Sequence, residues 1–213
     1  EFAYIRRLYR GELQVVDEAL GELLHRLRRE KRLDAAIVVL MGVHGEEFFE
    51  HGGAGHARGL YEESLRVPLA IHAPQLLAAG RVEVPVDLLD VAPTLVDLLG
   101  LPVPDTWQGR SLVPIIDDPQ PSPQAVGAFL GDGSRAVIVG DHKLVLGPGR
   151  KEQYTDLTRN PAEDPEQPSD PGVGLRIVRT ALAWELANEA GWRRARWGTG
   201  ANLTPTFARD MGM

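Results

Sequence analysis

The apolar run AIVVLM at positions 36–41 ends on Gly42 and passes directly into VHGEEFFEHGGAGHARGLY. A β-branched run bounded by glycine is the pattern of a strand buried on both faces of a parallel sheet. Ligands bind at the carboxy ends of such strands, where variable loops are held by a rigid sheet. Chemistry is therefore expected between Gly42 and Tyr61, a stretch with His44, His51 and His56 that is too irregular for one long helix.

The flanking segments give that strand its setting. Ile5, Leu8, Tyr9, Leu13, Val16, Leu20, Leu23, Leu24 and Leu27 recur at three- and four-residue steps, which predicts a long amphipathic helix over positions 4–32. VPLAIHA at 67–73 predicts a second strand with Pro68 near its start, and 84–86 a short bridge or edge strand. Asp90, Pro93 and Gly100 punctuate a short helix, with Asp90 expected to cap its free N–H groups. The proline-rich positions 119–123 mark a junction between an α/β portion, 1–118, and a smaller portion, 119–213. In the latter, 125–130, 135–139 and 143–146 predict an antiparallel meander, with Gly140-Asp141 suited to a type II′ hairpin. Positions 157–172 are polar and proline-broken, hence loop. Leu175, Val178, Ala181, Leu182 and Leu186 then form the apolar face of a helix, and periodicity fades after Gly191.

Charge and composition remove several functions. With 23 Lys and Arg against 30 Asp and Glu, the formal net charge of -7 leaves no basic stripe for a nucleic-acid backbone. The basic run at 26–32 sits where cations complement a helix carboxy terminus and face solvent. The chain has no cysteine, which excludes a disulfide framework, a thiolate metal site and a cysteine nucleophile within it. No apolar run reaches the roughly 18–20 residues that span a bilayer.

Five strings in order carry a resemblance: YRGELQVVDEALGELL, HGEEFFEHG, GHARGLYEESLRVPLAIHAP, VDLLDVAPTLVDLLGLPVPDTWQGRSLVPII, and the later RAVIVGDHKLVLGPG with YTDLTRNPAED. Together they resemble the second half of a bacterial sulfatase of the alkaline phosphatase superfamily. The implied fold is part of an α/β alkaline phosphatase-like core, followed by a small antiparallel sheet with one helix. The implied activity is metal-dependent hydrolysis of sulfate esters, with calcium or magnesium and a formylglycine nucleophile made from Cys or Ser in a Cys/Ser-x-Pro-x-Arg setting. No such setting occurs in this chain, so the resemblance places the nucleophile and two aspartate ligands upstream. The chain alone is then expected to be inactive, and to self-associate or require the missing amino-terminal half.

The resemblance also assigns roles residue by residue. The family's second metal-ligand pair, Asp-His or Asp-Asn before Gly, falls on Val43-His44. His44 is thereby the expected metal ligand, while Val43 stands where an aspartate belongs and offers a cation neither charge nor lone pair. His56 matches the His or Lys that contacts the sulfate or assists the leaving oxygen, the expected catalytic and substrate-binding residue. His51 is expected to orient the loop. Arg58, Glu62 and Arg66 are expected as a surface and packing set around Tyr61.

Other chemistries fit less well. A zinc site from His44, His51 and His56 lacks the i, i+4 helical spacing of HExxH enzymes. Glu46-Glu47 and Glu62-Glu63 are expected to be solvated charges rather than a glycosidase pair. Two readings stay beside the sulfatase one: a phosphatase, phosphodiesterase or phosphoglycerol transferase of the same superfamily, and a non-catalytic binding module, which Val43 favours. Compartment stays open between a periplasmic protein and the soluble part of a membrane-anchored one.

Overall fold

The computed structural model describes residues 2–118, 120–167 and 169–197. These form two compact units. Among the described residues, the first comprises 2–58, 63–82 and 88–120; the second comprises 59–62, 83–87 and 121–197.

The first unit begins with helix α1, Phe2–Arg29, which buries none of its residues. The periodic stripe predicted from sequence is present but largely open to solvent, with Leu8, Leu13, Val16 and Leu23 exposed. A short 3-10 turn, Leu33–Ala35, leads into β1, Val38–Met41. Strands β2, Glu47–Phe48, and β3, Ala54–Gly55, make a small hairpin. Helix α2, Glu62–Leu65, is a single turn, and β4, Leu69–His72, returns to β1. Helices α3, Val91–Leu98, and α4, Val113–Asp117, complete this unit.

Several expectations fail here for physical reasons. β1 pairs antiparallel with β4 in register Val38↔His72 to Met41↔Leu69, in a sheet of two strands among the described residues. It is not buried on both faces, since Leu40 and Met41 are exposed. An apolar run reports what a strand prefers to face; two strands cannot cover both sides of themselves. Residues 84–86 form no strand. Pro85 has no N–H to give a ladder, and the segment is tied instead by the Asp87 carboxylate, which accepts from Gly127 N–H at 3.4 Å.

Asp90 does not cap α3 with its side chain. Its backbone is already helical, continuing the turn Leu88–Asp90, so the carboxylate cannot reach back to the first N–H groups. It is buried, and Oδ1 accepts from Arg110 N–H at 2.9 Å. Thr94, wholly buried, donates to Asp90 O at 2.6 Å and accepts from Leu112 N–H at 2.8 Å. The two residues thus hold the 109–112 loop. Gly109 is required there, because a Cβ would lie 2.0 Å from Leu89 O. At the other end, Gly100 adopts φ +68 and donates to Asp97 O while Leu101 donates to Val96 O, the pattern that satisfies the last helical carbonyls.

The second unit is built on strands β5, Ala125–Phe129; β6, Arg135–Val139; β7, His142–Leu146; and β8, Glu152–Asp156, antiparallel in sequential order. Gly140 has φ +59, as the first position of a type II′ turn requires. Helix α5, Gly172–Trp197, lays Val178 and Leu182 on Val137, Leu144 and Leu146, with Leu175, Ala181 and Leu186 at the margin. That is the face read from sequence, and the helix continues past Gly191 although the period fades. Gly174 lets α5 approach the sheet, since a Cβ there would meet the Tyr154 hydroxyl at 2.3 Å.

One element of this core left no sequence signal. Lys143, fully buried, places Nζ 3.0 Å from Glu62 Oε1 and 2.8 Å from Glu163 Oε1. Glu163 is itself 1% exposed, adopts a left-handed φ of 51, and accepts from Glu62 N–H at 2.6 Å. A non-glycine residue in that conformation costs about 1–2 kcal/mol, which the charge-assisted bonds offset. Glu62 is therefore a packing residue of the second unit, and the 157–167 loop is pinned rather than loose. Asn160 Nδ2 donates to both Asp164 O and Gln167 O at 3.0 Å.

Lys143→Ala removes a buried ammonium that pairs with the buried Glu163 carboxylate and with the half-buried Glu62. The expected result is a loss of about 3–5 kcal/mol, read as a lowered urea midpoint. A change within about 0.5 kcal/mol would show that the triad contributes nothing net.

Candidate functional site

His44 lies just beyond the carboxy end of β1, between two glycines that the backbone clamps. Gly42 donates to Pro68 O at 2.9 Å and Gly45 to Ser64 O at 2.9 Å. A Cβ on Gly45 would lie 1.8 Å from Glu63 O, so only glycine permits this approach. The histidine between them is thereby presented outward: His44 is exposed, and neighbouring Val43 is 74% exposed.

The β2–β3 hairpin supplies the second histidine. Its register pairs Glu47 with Gly55. One step outward along both strands brings Glu46 opposite His56, and His56 Nδ1 lies 3.2 Å from Glu46 Oε2. The His44 and His56 rings stack with centroids 4.0 Å apart and planes 28° apart. Ligating atoms of His44, Glu46 and His56 all lie within 4.8 Å of one another.

Alternation along β2 sends the next carboxylate the other way. Glu47 is buried at 3% exposure, and Oε1 accepts from Gly53 N–H at 2.7 Å and His51 N–H at 3.2 Å. A Cβ on Gly53 would stand 2.7 Å from that carboxylate, so a side chain there would push Glu47 from its present position. His51, nearly buried, sets Nδ1 2.6 Å from Glu63 Oε1. Glu47, His51 and Glu63 make a second group able to hold a cation, but its atoms already engage one another. His51 is thus grouped apart from His44 and His56, which argues against the three-histidine site.

The acidic pairs are not solvated charges, contrary to expectation. Glu47 is bound by backbone N–H groups, Glu63 by His51, Glu62 by Lys143, and Glu46 faces His56. Adjacent carboxylates look alike in a sequence; hairpin pairing and the α2 turn send the two members of each pair to different partners.

The loop is also held from α1, through contacts the sequence reading missed. Phe2 packs on Phe49 at 3.9 Å, Tyr9 meets Phe48 edge-on at 5.1 Å, and the Arg6 guanidinium lies 5.9 Å from the Phe48 ring centre. Arg6 Nη2 also donates to Glu50 Oε1 at 2.6 Å. Positions 2, 6 and 9 share a helical face, the one signal that could have indicated this docking.

The sulfatase family model matches residues 3–101. Choline-sulfatase of Rhizobium meliloti (strain 1021) is 33% identical over 196 residues, covering 85% of this chain and 38% of that protein. This chain belongs to the sulfatase family. Among solved structures, the phosphonate monoester hydrolase of Agrobacterium radiobacter superposes with a TM-score of 0.70 at 26% identity, covering 90% of this chain and 42% of that one. A protein solved in complex with its substrate D-glucosamine-2-N,6-O-disulfate gives a TM-score of 0.68 at 23% identity, covering 88% and 41%. The sulfatase-family chain therefore spans about two fifths of the length of these relatives and has an alkaline phosphatase-like fold, with its small antiparallel sheet and helix.

Burial pushes the Glu50 carboxyl up, but hydrogen bonds from its own N–H and from Phe48 N–H, together with Arg6, outweigh this and leave it below its ordinary value. A folded-state value below the unfolded one means that Glu50 stabilises the fold above the ordinary carboxylate range. That contribution is lost as pH falls through the lowered value. In urea melts from neutral to acidic pH, Glu50→Gln should lie below wild type at neutral pH and converge on it in acid. A constant gap would contradict this origin.

Proposed function

We propose that this sulfatase-family chain carries part of a hydrolytic site for sulfate esters, with His44 as a metal ligand and His56 as the residue that meets the sulfate group. The observation that carries the reading is the pair of imidazoles stacked at 4.0 Å at the open end of β1, beside Glu46. His56 faces solvent on one side and a carboxylate on the other, 3.2 Å away. A histidine so placed can hydrogen-bond a sulfate oxygen and, when protonated, give its proton to the departing alkoxide.

The family's cation is calcium or magnesium, and the donors within this chain do not fit one. Hard cations take six or more oxygens, while His44 and His56 offer nitrogen, Glu46 a single carboxylate, and Val43 nothing. A calcium or magnesium ion would draw its remaining oxygens, and the reaction its formylglycine, from a longer protein. The 213-residue chain is expected to show no turnover of an aryl sulfate above a matched His56→Ala control. Measurable turnover would overturn that. Val43→Asp adds the missing carboxylate, and in calcium titrations it should tighten binding relative to wild type.

A second reading has its own support. The phosphonate monoester hydrolase of Agrobacterium radiobacter shares the fold at 26% identity, so a phosphate or phosphonate ester is the alternative substrate class. Rates on paired aryl sulfate and aryl phosphonate substrates, measured on the longer protein, separate the two.

The exposed stripe of α1 and the two-stranded β1–β4 sheet, whose outer edges are unpaired among the described residues, also support a chain that self-associates or takes an amino-terminal half as partner. Sedimentation of the purified chain is expected to show species larger than a monomer. A monodisperse monomer at high concentration would count against it. No helix among the described residues is long and apolar enough to cross a membrane.

A further inference from the structure

Two neighbouring carboxylates leave strand β2 on opposite sides, and only one of them serves the fold. Glu47 is buried and bound by backbone N–H groups. Glu46 has no such anchor: among the described residues its hydrogen-bond partner is His56, whose Nδ1 lies 3.2 Å from Oε2. We propose that Glu46 is a positioning residue for His56, holding a proton on Nδ1 so that Nε2 is the atom turned to the substrate. This rests on the hydrolytic reading of His56.

The hairpin register places Glu46 directly opposite His56, where cross-strand side chains meet. Gly55 adopts φ +94, and a Cβ there would stand 3.4 Å from Glu46 Oε1, so the carboxylate rests against bare backbone as it crosses to His56. An ionised carboxylate can only accept, which makes the nitrogen facing it an N–H. His44 holds the same ring by its face: the two rings stack at 4.0 Å, and His44 Nδ1 in turn faces Gly45 O at 2.9 Å. Among the described residues no hydrogen-bond partner stands at His56 Nε2, and the side chain is 54% exposed. Nε2 is the open corner of the ring.

The tautomer matters for the chemistry. When Nε2 gives its proton to a departing alkoxide, one N–H bond breaks, one O–H bond forms, and the ring left behind is the neutral form with its proton on Nδ1. Glu46 already holds that form, so the ring need neither turn nor move a proton between its nitrogens. Without the carboxylate the ring is free to rotate and to present either nitrogen.

The test reads the tautomer and needs no turnover. The 213-residue chain is prepared with isotope-labelled histidine, and long-range proton–nitrogen NMR correlations are recorded at mildly alkaline pH, where imidazoles are neutral. The His56 signals are those lost in His56→Gln. Wild type is expected to show the Nδ1–H form at His56. Glu46→Ala should move it toward the Nε2–H form that free imidazole prefers in water, whereas Glu46→Gln, whose side-chain carbonyl still accepts, should keep most of the wild-type pattern. His25, exposed on α1, should show the free-imidazole pattern throughout. Circular dichroism should match wild type in both variants. In the longer protein, Glu46→Ala should lower kcat on an aryl sulfate at least about tenfold while KM stays within about twofold, and Glu46→Gln should recover part of that loss. An Nε2–H pattern in wild type, an unchanged pattern in Glu46→Ala, or an undiminished kcat would overturn the role of Glu46. The expected tautomer without sulfate-ester turnover by the longer protein would overturn the hydrolytic reading instead, and with it the catalytic use of the pairing.

Discussion

The candidate site hangs on a carboxylate removed from water. Glu47 is buried in the β2–β3 hairpin, and its oxygen is answered by the N–H groups of Gly53 and His51. A buried, unpaired carboxylate is costly, so the hairpin can close only in the register that brings those donors to it. That register sends Glu46 outward and opposite His56. Gly53 belongs to the same constraint, because a methyl group there would displace the carboxylate from its donors.

A second constraint joins the hairpin to the strand tip. The backbone of Gly45 passes so close to Glu63 that no side chain fits, and the Glu63 carboxylate in turn holds His51. The approach of Gly45 to Glu63 and the Glu63–His51 contact thus hold the segments that carry His44 and His56. The amino-terminal turns of α1 add a third hold through Phe2, Arg6 and Tyr9. α1 buries none of its residues, yet it organises the loop that shapes the site.

Local patterns were legible where the structure that realises them is also local. The α5 face at Leu175, Val178, Ala181, Leu182 and Leu186, the Gly140 hairpin and the three predicted meander strands depend on near neighbours in the chain, and the fold keeps them. The pairing of β1 was not legible, because an apolar run encodes a preference for burial and not the direction or number of its neighbours. Asp90 shows the same limit. An aspartate before a helix looks like a cap, but its backbone conformation decides whether the carboxylate can turn back or must reach Arg110.

By itself the sequence determined the order of elements, the helical and strand periods, and the absence of cysteine, since each follows from residue type and spacing. It also set His44 after a strand and valine before it. Only the tertiary structure decided that the His44 and His56 rings stack, that Glu46, Glu47, Glu62 and Glu63 are each engaged by another group, and that Lys143 lies buried between Glu62 and Glu163. Those are pairings between residues far apart in the chain. Their energies come from desolvation and close approach, which no residue can express until its partner has been brought to it.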